Sequence, residues 1–126
     1  MRRLLCGLLV VTCVGCRQPG LVGTYELEAV NGVALPVPAT RTSTARATIV
    51  GGSLTLGADG SYRSRLLFRV RTHLGSYADS SVTMGSYERR GRVVELRQPL
   101  RTMVATVRDG TVTVDVEGWT YRYRRP

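Results

Sequence analysis

Apolar and polar positions alternate along most of this chain, most cleanly between Leu54 and Arg71. After Gly57-Ala58-Asp59-Gly60, residues Tyr62, Ser64, Leu66, Phe68 and Val70 share one parity, and Ser61, Arg63, Arg65, Leu67, Arg69 and Arg71 the other. A period of two sends successive side chains to opposite faces of a strand, so this stretch reads as a strand with one buried and one wet face. At a helical period the same arginines would scatter round the circumference. Asp59-Gly60 marks a tight turn, where Asp bonds its own backbone and Gly takes a positive φ. Leu54–Arg71 is predicted to be an antiparallel hairpin.

The same reading extends in both directions. Gly23–Val30 sets Tyr25, Leu27 and Ala29 against Thr24, Glu26 and Glu28, which predicts strand one. Val33–Thr44 carries Pro36 and Pro38, which cannot donate to a ladder, and is expected to be a long loop and a candidate lid. In Ala45–Leu56, strand two, Ala47 and Ile49 differ in parity from Leu54 and Leu56, which predicts a β-bulge at Gly51-Gly52. Ser61–Arg71 is strand three, and Thr72–Ser80, with His73, a second loop. In Ser81–Glu88, strand four, Val82 and Met84 conflict in parity with Gly85 and Tyr87; a bulge near Gly85 would reconcile them. Strands five to eight follow at Arg92–Arg97, Thr102–Val107, Thr111–Glu117 and from Trp119 onward, with Val94, Met103, Val114 and Tyr121 among their inward residues. Arg108-Asp109-Gly110 and Gly118 supply the last turns.

These elements define an all-β chain of eight antiparallel strands joined in sequence, with no helix between them. The tight turns after strands two, four and six fall at one end, and the longer connections after one, three and five at the other. Such strands can close on themselves and leave no exposed edge, so an up-and-down barrel is expected, with an open, strongly curled sheet as the alternative.

Composition adds an address. The chain has 126 residues, 14 of them Gly, and a formal net charge of +9 carried by arginine alone, with no lysine. That bias reads as a compositional habit before it reads as a binding face. The outward Arg63, Arg65, Arg69, Arg71, Arg122 and Arg124 are expected to be a solvated surface first and a contact for anionic lipid second. Arg2 and Arg3 precede an apolar run, Leu4–Val14, of about ten residues, too short to span a bilayer and suited to an export leader. All three cysteines lie in Met1–Cys16, so the domain after the leader contains no disulfide and no catalytic thiol. The expected organisation is a leader at 1–15, a tether at 16–22 and a barrel domain at 23–126.

Val14-Gly15-Cys16 resembles the lipobox of bacterial lipoproteins. The resemblance implies that Cys16 is diacylated and becomes the new N-terminus, anchoring the chain on the periplasmic side of the cell envelope. Arg17 after Cys16 favours the outer membrane. An ordinary cleaved signal peptide is the alternative. Gly23-Thr24-Tyr25-Glu26-Leu27, Val30-Asn31-Gly32, Leu35-Pro36, Gly52-Ser53-Leu54-Thr55-Leu56, Asp59-Gly60-Ser61-Tyr62, Gly85-Ser86-Tyr87 and Tyr121-Arg122-Tyr123-Arg124-Arg125 resemble, in that order, small bacterial lipocalin-like (calycin-type) lipoproteins. That family implies an aromatic residue of strand one at the closed base, here Tyr25, under an arginine of the last strand, here Arg124 or Arg125.

Three functions then compete. In the first, which the resemblance implies, a small hydrophobic or amphiphilic ligand or lipid enters the barrel mouth. Leu27, Leu54, Leu56, Ser64, Leu66, Phe68, Val114, Trp119 and Tyr121 are the candidate lining; the bland alternative is that they simply fill the core. In the second, the barrel binds a protein, as periplasmic protease inhibitors do, or has a structural role in the envelope. The third, an enzyme, is disfavoured: His73 is the sole histidine, and no paired carboxylates or phosphate-binding loop are recognisable. No cofactor, metal or nucleic-acid partner is expected, and the chain is read as a monomer.

Overall fold

The computed structural model describes residues 20–42 and 44–126. The leader at 1–15, Cys16 and the tether as far as residue 19 lie outside the described residues. Ten strands follow: β1 (Gly23–Val30), β2 (Val33–Ala34), β3 (Val37–Arg41), β4 (Ala45–Leu56), β5 (Ser61–Thr72), β6 (Gly75–Arg90), β7 (Val93–Arg97), β8 (Thr102–Arg108), β9 (Thr111–Val116) and β10 (Trp119–Arg124). Each of β4 to β10 pairs antiparallel with the next, and β10 pairs with β1. The pairing of β1 with β4, from Gly23↔Leu56 to Glu26↔Ser53, closes the ring. Eight strands, β1 and β4–β10, thus form a closed up-and-down antiparallel barrel.

Turn chemistry seals one end. Asp109 and Gly110 both take positive φ, 50° and 77°, the pair of conformations that a two-residue hairpin turn matched to strand twist demands. At Asp59 the carboxylate accepts from the Ser61 amide at 3.0 Å and from the Ser61 hydroxyl at 2.6 Å, which holds its pKa below the usual aspartate range and fixes the β4–β5 turn. These turns, the one at Gly91-Arg92 and both ends of the described chain gather at the base.

The alternating pattern accounts for the core. Tyr25, Leu27, Leu54, Leu56, Tyr62, Val94, Leu96, Met103, Ala105, Val112, Val114 and Tyr123 point inward and are buried. The β4 register shifts between Ile49 and Gly51, so a bulge lets Ile49 and Leu54 both face inward although their parity differs.

Three expectations are corrected. Val33–Thr44 is not a free loop. β1 and β4 diverge beyond their four paired residues, and the intervening segment fills the wedge, with β2 pairing on Ala29-Val30 and β3 on the first part of β4. Pro38 is accommodated because β3 is an edge strand whose outer side needs no donor. Thr72–Ser80 is not a loop either: β5 and β6 pair without interruption from Ser61↔Ser86 to Thr72↔Gly75, leaving His73-Leu74 as the turn. The polar composition of Ser76, Asp79 and Ser80 suggests a loop, but a strand needs no apolar face where nothing packs on it. The third correction concerns Gly85. The β5–β6 ladder runs through Gly85, and the β6–β7 ladder starts beside it at Ser86, both without a register shift; Thr83, Gly85 and Tyr87 are the inward set, and Val82 and Met84 face solvent.

Candidate functional site

The inward face of β5 leads from the core to the mouth. Ser64, Leu66, Phe68 and Val70 are half-buried where Tyr62 below them is buried. Between Leu66, Leu54 and the facing strands lies a cavity of about 100 Å³. Its apolar wall is Leu54, Leu66, Leu96, Met103, Val114 and Val116; its polar groups are Ser64, Thr83, Arg101, Tyr121 and Tyr123. Of the nine lining candidates, Leu54, Ser64, Leu66, Val114 and Tyr121 meet at this cavity. Leu27 and Leu56 are core residues elsewhere, while Phe68 and Trp119 pack at the edge of the core. Trp119 stacks on Tyr121, ring centroids 6.4 Å apart and planes 17° apart, so it supports the lining without entering it.

Sequence reasoning missed Arg101 because it sits in a connection with no parity to read. Its guanidinium pairs with Glu117, tying the β7–β8 connection to the β9–β10 turn at the lip of the cavity. Thr83 was hidden by the expected bulge in strand four. Tyr123 and Met103 were visible as inward residues, but nothing in the sequence separates lining from filling.

Burial governs the acidities inside. The Tyr123 hydroxyl is pushed up to about 12 by burial, with Ser64 pulling it back slightly. Burial also raises Tyr121; Arg101 opposes the shift and Glu117 adds to it. The Tyr62 hydroxyl is buried and makes no hydrogen bond among the described residues. Burial raises its pKa, and the Gln98 side chain, near it but outside bonding geometry, offsets part of that rise. These tyrosines are neutral donors at ordinary pH, suited to orienting a polar group and not to proton transfer. Among the described residues no three His, Cys, Asp or Glu side chains come together as a metal would require.

At the opposite end, Tyr25 and the two candidate arginines separate. Arg125 lies over the Tyr25 ring at 4.8 Å and also donates to its hydroxyl, which in turn donates to the Leu21 carbonyl at 2.7 Å. Arg124 turns outward to Glu28 at 3.0 Å, and Arg122 reaches the same carboxylate at 2.6 Å. The two guanidiniums hold Glu28 below the ordinary glutamate range, Arg124 the more strongly.

No protein-family model, curated protein or solved structure matches this chain.

Proposed function

We propose that the chain is an exported, lipid-anchored, lipocalin-like barrel, non-catalytic, that holds one small amphiphile by its apolar end at the mouth. The observation that carries this reading is the mouth cavity itself, where an apolar wall converges with Ser64, Tyr121 and Arg101 at one rim. At about 100 Å³ it is below the ~300–1,000 Å³ of sites that engulf a drug-sized ligand. The chemistry it suits is therefore insertion of a short apolar end, with a polar group left at the rim beside Ser64, Tyr121 and the Arg101–Glu117 pair. Attachment through Cys16 would hold this mouth in the periplasm, with the outer membrane favoured.

The test is uptake of a hydrophobic fluorescent probe by the purified domain, with native mass spectrometry for lipid that co-purifies. Leu66→Trp, which fills the cavity from its wall, is expected to weaken probe binding about tenfold or more. No uptake by the wild-type chain would sink the ligand reading. Anchoring is tested in cells, where Cys16→Ser abolishes incorporation of radioactive palmitate if Cys16 is the acylated residue.

A second reading, a protein-binding barrel of the protease-inhibitor kind, draws on β6. Beyond its last pair with β7, Ser86↔Arg97, the outer edge of β6 has no strand neighbour among the described residues, and Tyr77, Val82 and Met84 are exposed along it. Such an edge can accept an added strand.

A further inference from the structure

Among the described residues, Arg46, Arg63, Arg65, Arg69 and Arg71 lie exposed along β4 and β5 without a carboxylate partner, and two further groups of arginines contrast with each other. Arg90, Arg97, Arg122 and Arg124 are ion-paired on the outer face of the barrel, and Arg101 is ion-paired at the mouth. Arg89, Arg92, Arg108 and Arg125 have no carboxylate partner among the described residues, yet these four converge on one cavity of about 670 Å³ at the base. They arrive there from three places: the β6–β7 turn, the β8–β9 turn and the C-terminal segment. Arg89 is fixed by donating to the Gly91 carbonyl at 2.7 Å, which leaves its terminal nitrogens free. Among the described residues Asp109 is the one acid in the lining. Gly91 and Gly110 keep the rim open to bulky groups.

The cavity is also placed by the N-terminal segment. Gly20 and Leu21 form part of its wall, and Arg125 clamps that segment by donating to the carbonyls of Gly20 and Val22. Cys16 stands four residues before Gly20, so a fully extended tether puts it no more than about 14 Å from the base. A lipid on Cys16 would therefore keep the base, and not the ligand-accepting mouth, against the bilayer. With Arg125 engaged by Tyr25 and the N-terminal segment, the guanidiniums of Arg89, Arg92 and Arg108 at that distance match a layer of phosphodiester groups, which arginine recognises through paired N–H donors.

We propose that this base cavity docks on the phosphate headgroups of anionic phospholipid in the membrane that carries the anchor. The proposal rests on the lipid-anchor reading for its orientation, but its chemistry is testable without the anchor. It makes the base a second membrane contact, setting the barrel upright with the mouth facing away.

The test uses the chain from residue 16 onward with Cys16→Ser, so that no acyl group contributes, and vesicles of phosphatidylglycerol or of phosphatidylcholine. Binding to phosphatidylglycerol and not to phosphatidylcholine is expected. Since each arginine near an anionic surface strengthens binding about fivefold, the combined Arg89→Ser, Arg92→Ser and Arg108→Ser variant should bind about a hundredfold more weakly. The matched variant Arg63→Ser, Arg65→Ser and Arg69→Ser, which removes the same charge from the outer face of β5, should stay near wild type. Circular dichroism confirms that both variants fold. Equal loss in the two variants, or no preference for phosphatidylglycerol, would overturn the proposal. Displacement by millimolar inorganic phosphate would overturn it too, because the site would then be one for a soluble anion. Palmitate labelling of Cys16 in cells is a separate readout: if it fails while the vesicle result holds, the anchor reading falls and the base site stands.

Discussion

The base of the barrel and the far end of the β5–β6 hairpin are built from the same alternating pattern and end in opposite states. At the base, side chains lock strand ends together. Tyr87 donates its hydroxyl to the Gly57 carbonyl at 2.7 Å and its amide to Gly60 at 2.8 Å. Tyr25 and Arg125 hold the first and last described segments to each other, and the Arg125 amide reaches Gly110 at 3.0 Å. In the hairpin, β6 from Gly75 to Val82 is exposed throughout, and its polar bonds are local, such as Leu74 N to Thr72 Oγ1 at 3.1 Å. Period two thus specifies a strand and its faces, but only a third element packed against a face turns it into core. Stability should be distributed accordingly, greatest where layers overlap and least where two strands stand alone.

The sharpest way to break this contrast is Gly85→Ala, at the point where β6 passes from core to open sheet. A Cβ there would lie 2.0 Å from the Arg97 carbonyl oxygen and 2.8 Å from the Tyr62 ring, and the first of these is ladder backbone that cannot swing away. A loss of about 3 kcal/mol or more in urea unfolding is expected, against less than about 0.5 kcal/mol for Ser80→Ala farther along the same strand. Similar effects from the two substitutions would show that the hairpin is as tightly constrained as the barrel.

Alkaline pH probes the buried layer next. Tyr123 titrates near 12 in the folded chain and near 10 when unfolded, so folding favours its protonated form. Its contribution is complete below about pH 10 and is lost as pH rises to about 12, an effect of about 3 kcal/mol. Tyr123→Phe should flatten this limb of the stability–pH curve, leaving the smaller share of Tyr62, Tyr87 and Tyr121, which burial also raises. An unchanged limb would mean that the Tyr123 hydroxyl reaches solvent. Smaller still is Tyr25→Phe at the base. It strands the Leu21 carbonyl and removes an acceptor from Arg125, for a loss of about 1–2 kcal/mol in urea unfolding.

The barrel was legible because its information is local. Turn pairs such as Asp59-Gly60 and Asp109-Gly110, with alternation between them, define strand and face residue by residue, and the parity switch across Gly51-Gly52 even marked the bulge. What failed depends on neighbours that are distant in sequence. Val33–Thr44 reads as a loop until the divergence of β1 from β4 exposes donors and acceptors for β2 and β3 to meet. Gly85 reads as a bulge because Val82 and Met84 look like core, although they are apolar residues on a wet face. The mouth cavity was half legible: parity names Leu54, Leu66 and Val114 as inward, but depth along the barrel decides which of them line space and which fill it. Arg101 and the base arginines lie in or beside turns, where no periodicity reports direction.

The smallest expected effect concerns the open end itself. Along Gly75–Ser81 successive amides point alternately toward β5 and toward the free edge, because β7 pairs only from Ser86 onward. The edge-facing amides should exchange with deuterated solvent at nearly unprotected rates, and the β5-facing ones with slight protection. Amides of Val94, Leu96 and Val112, in fully paired strands around the core, should open only with the whole domain. Native-state hydrogen exchange followed by NMR resolves the two sets. Uniform protection along Gly75–Ser81 would mean that something pairs with this edge in solution. Repeating the measurement over a range of protein concentrations would then identify it, since a second copy of the chain protects the edge only as concentration rises.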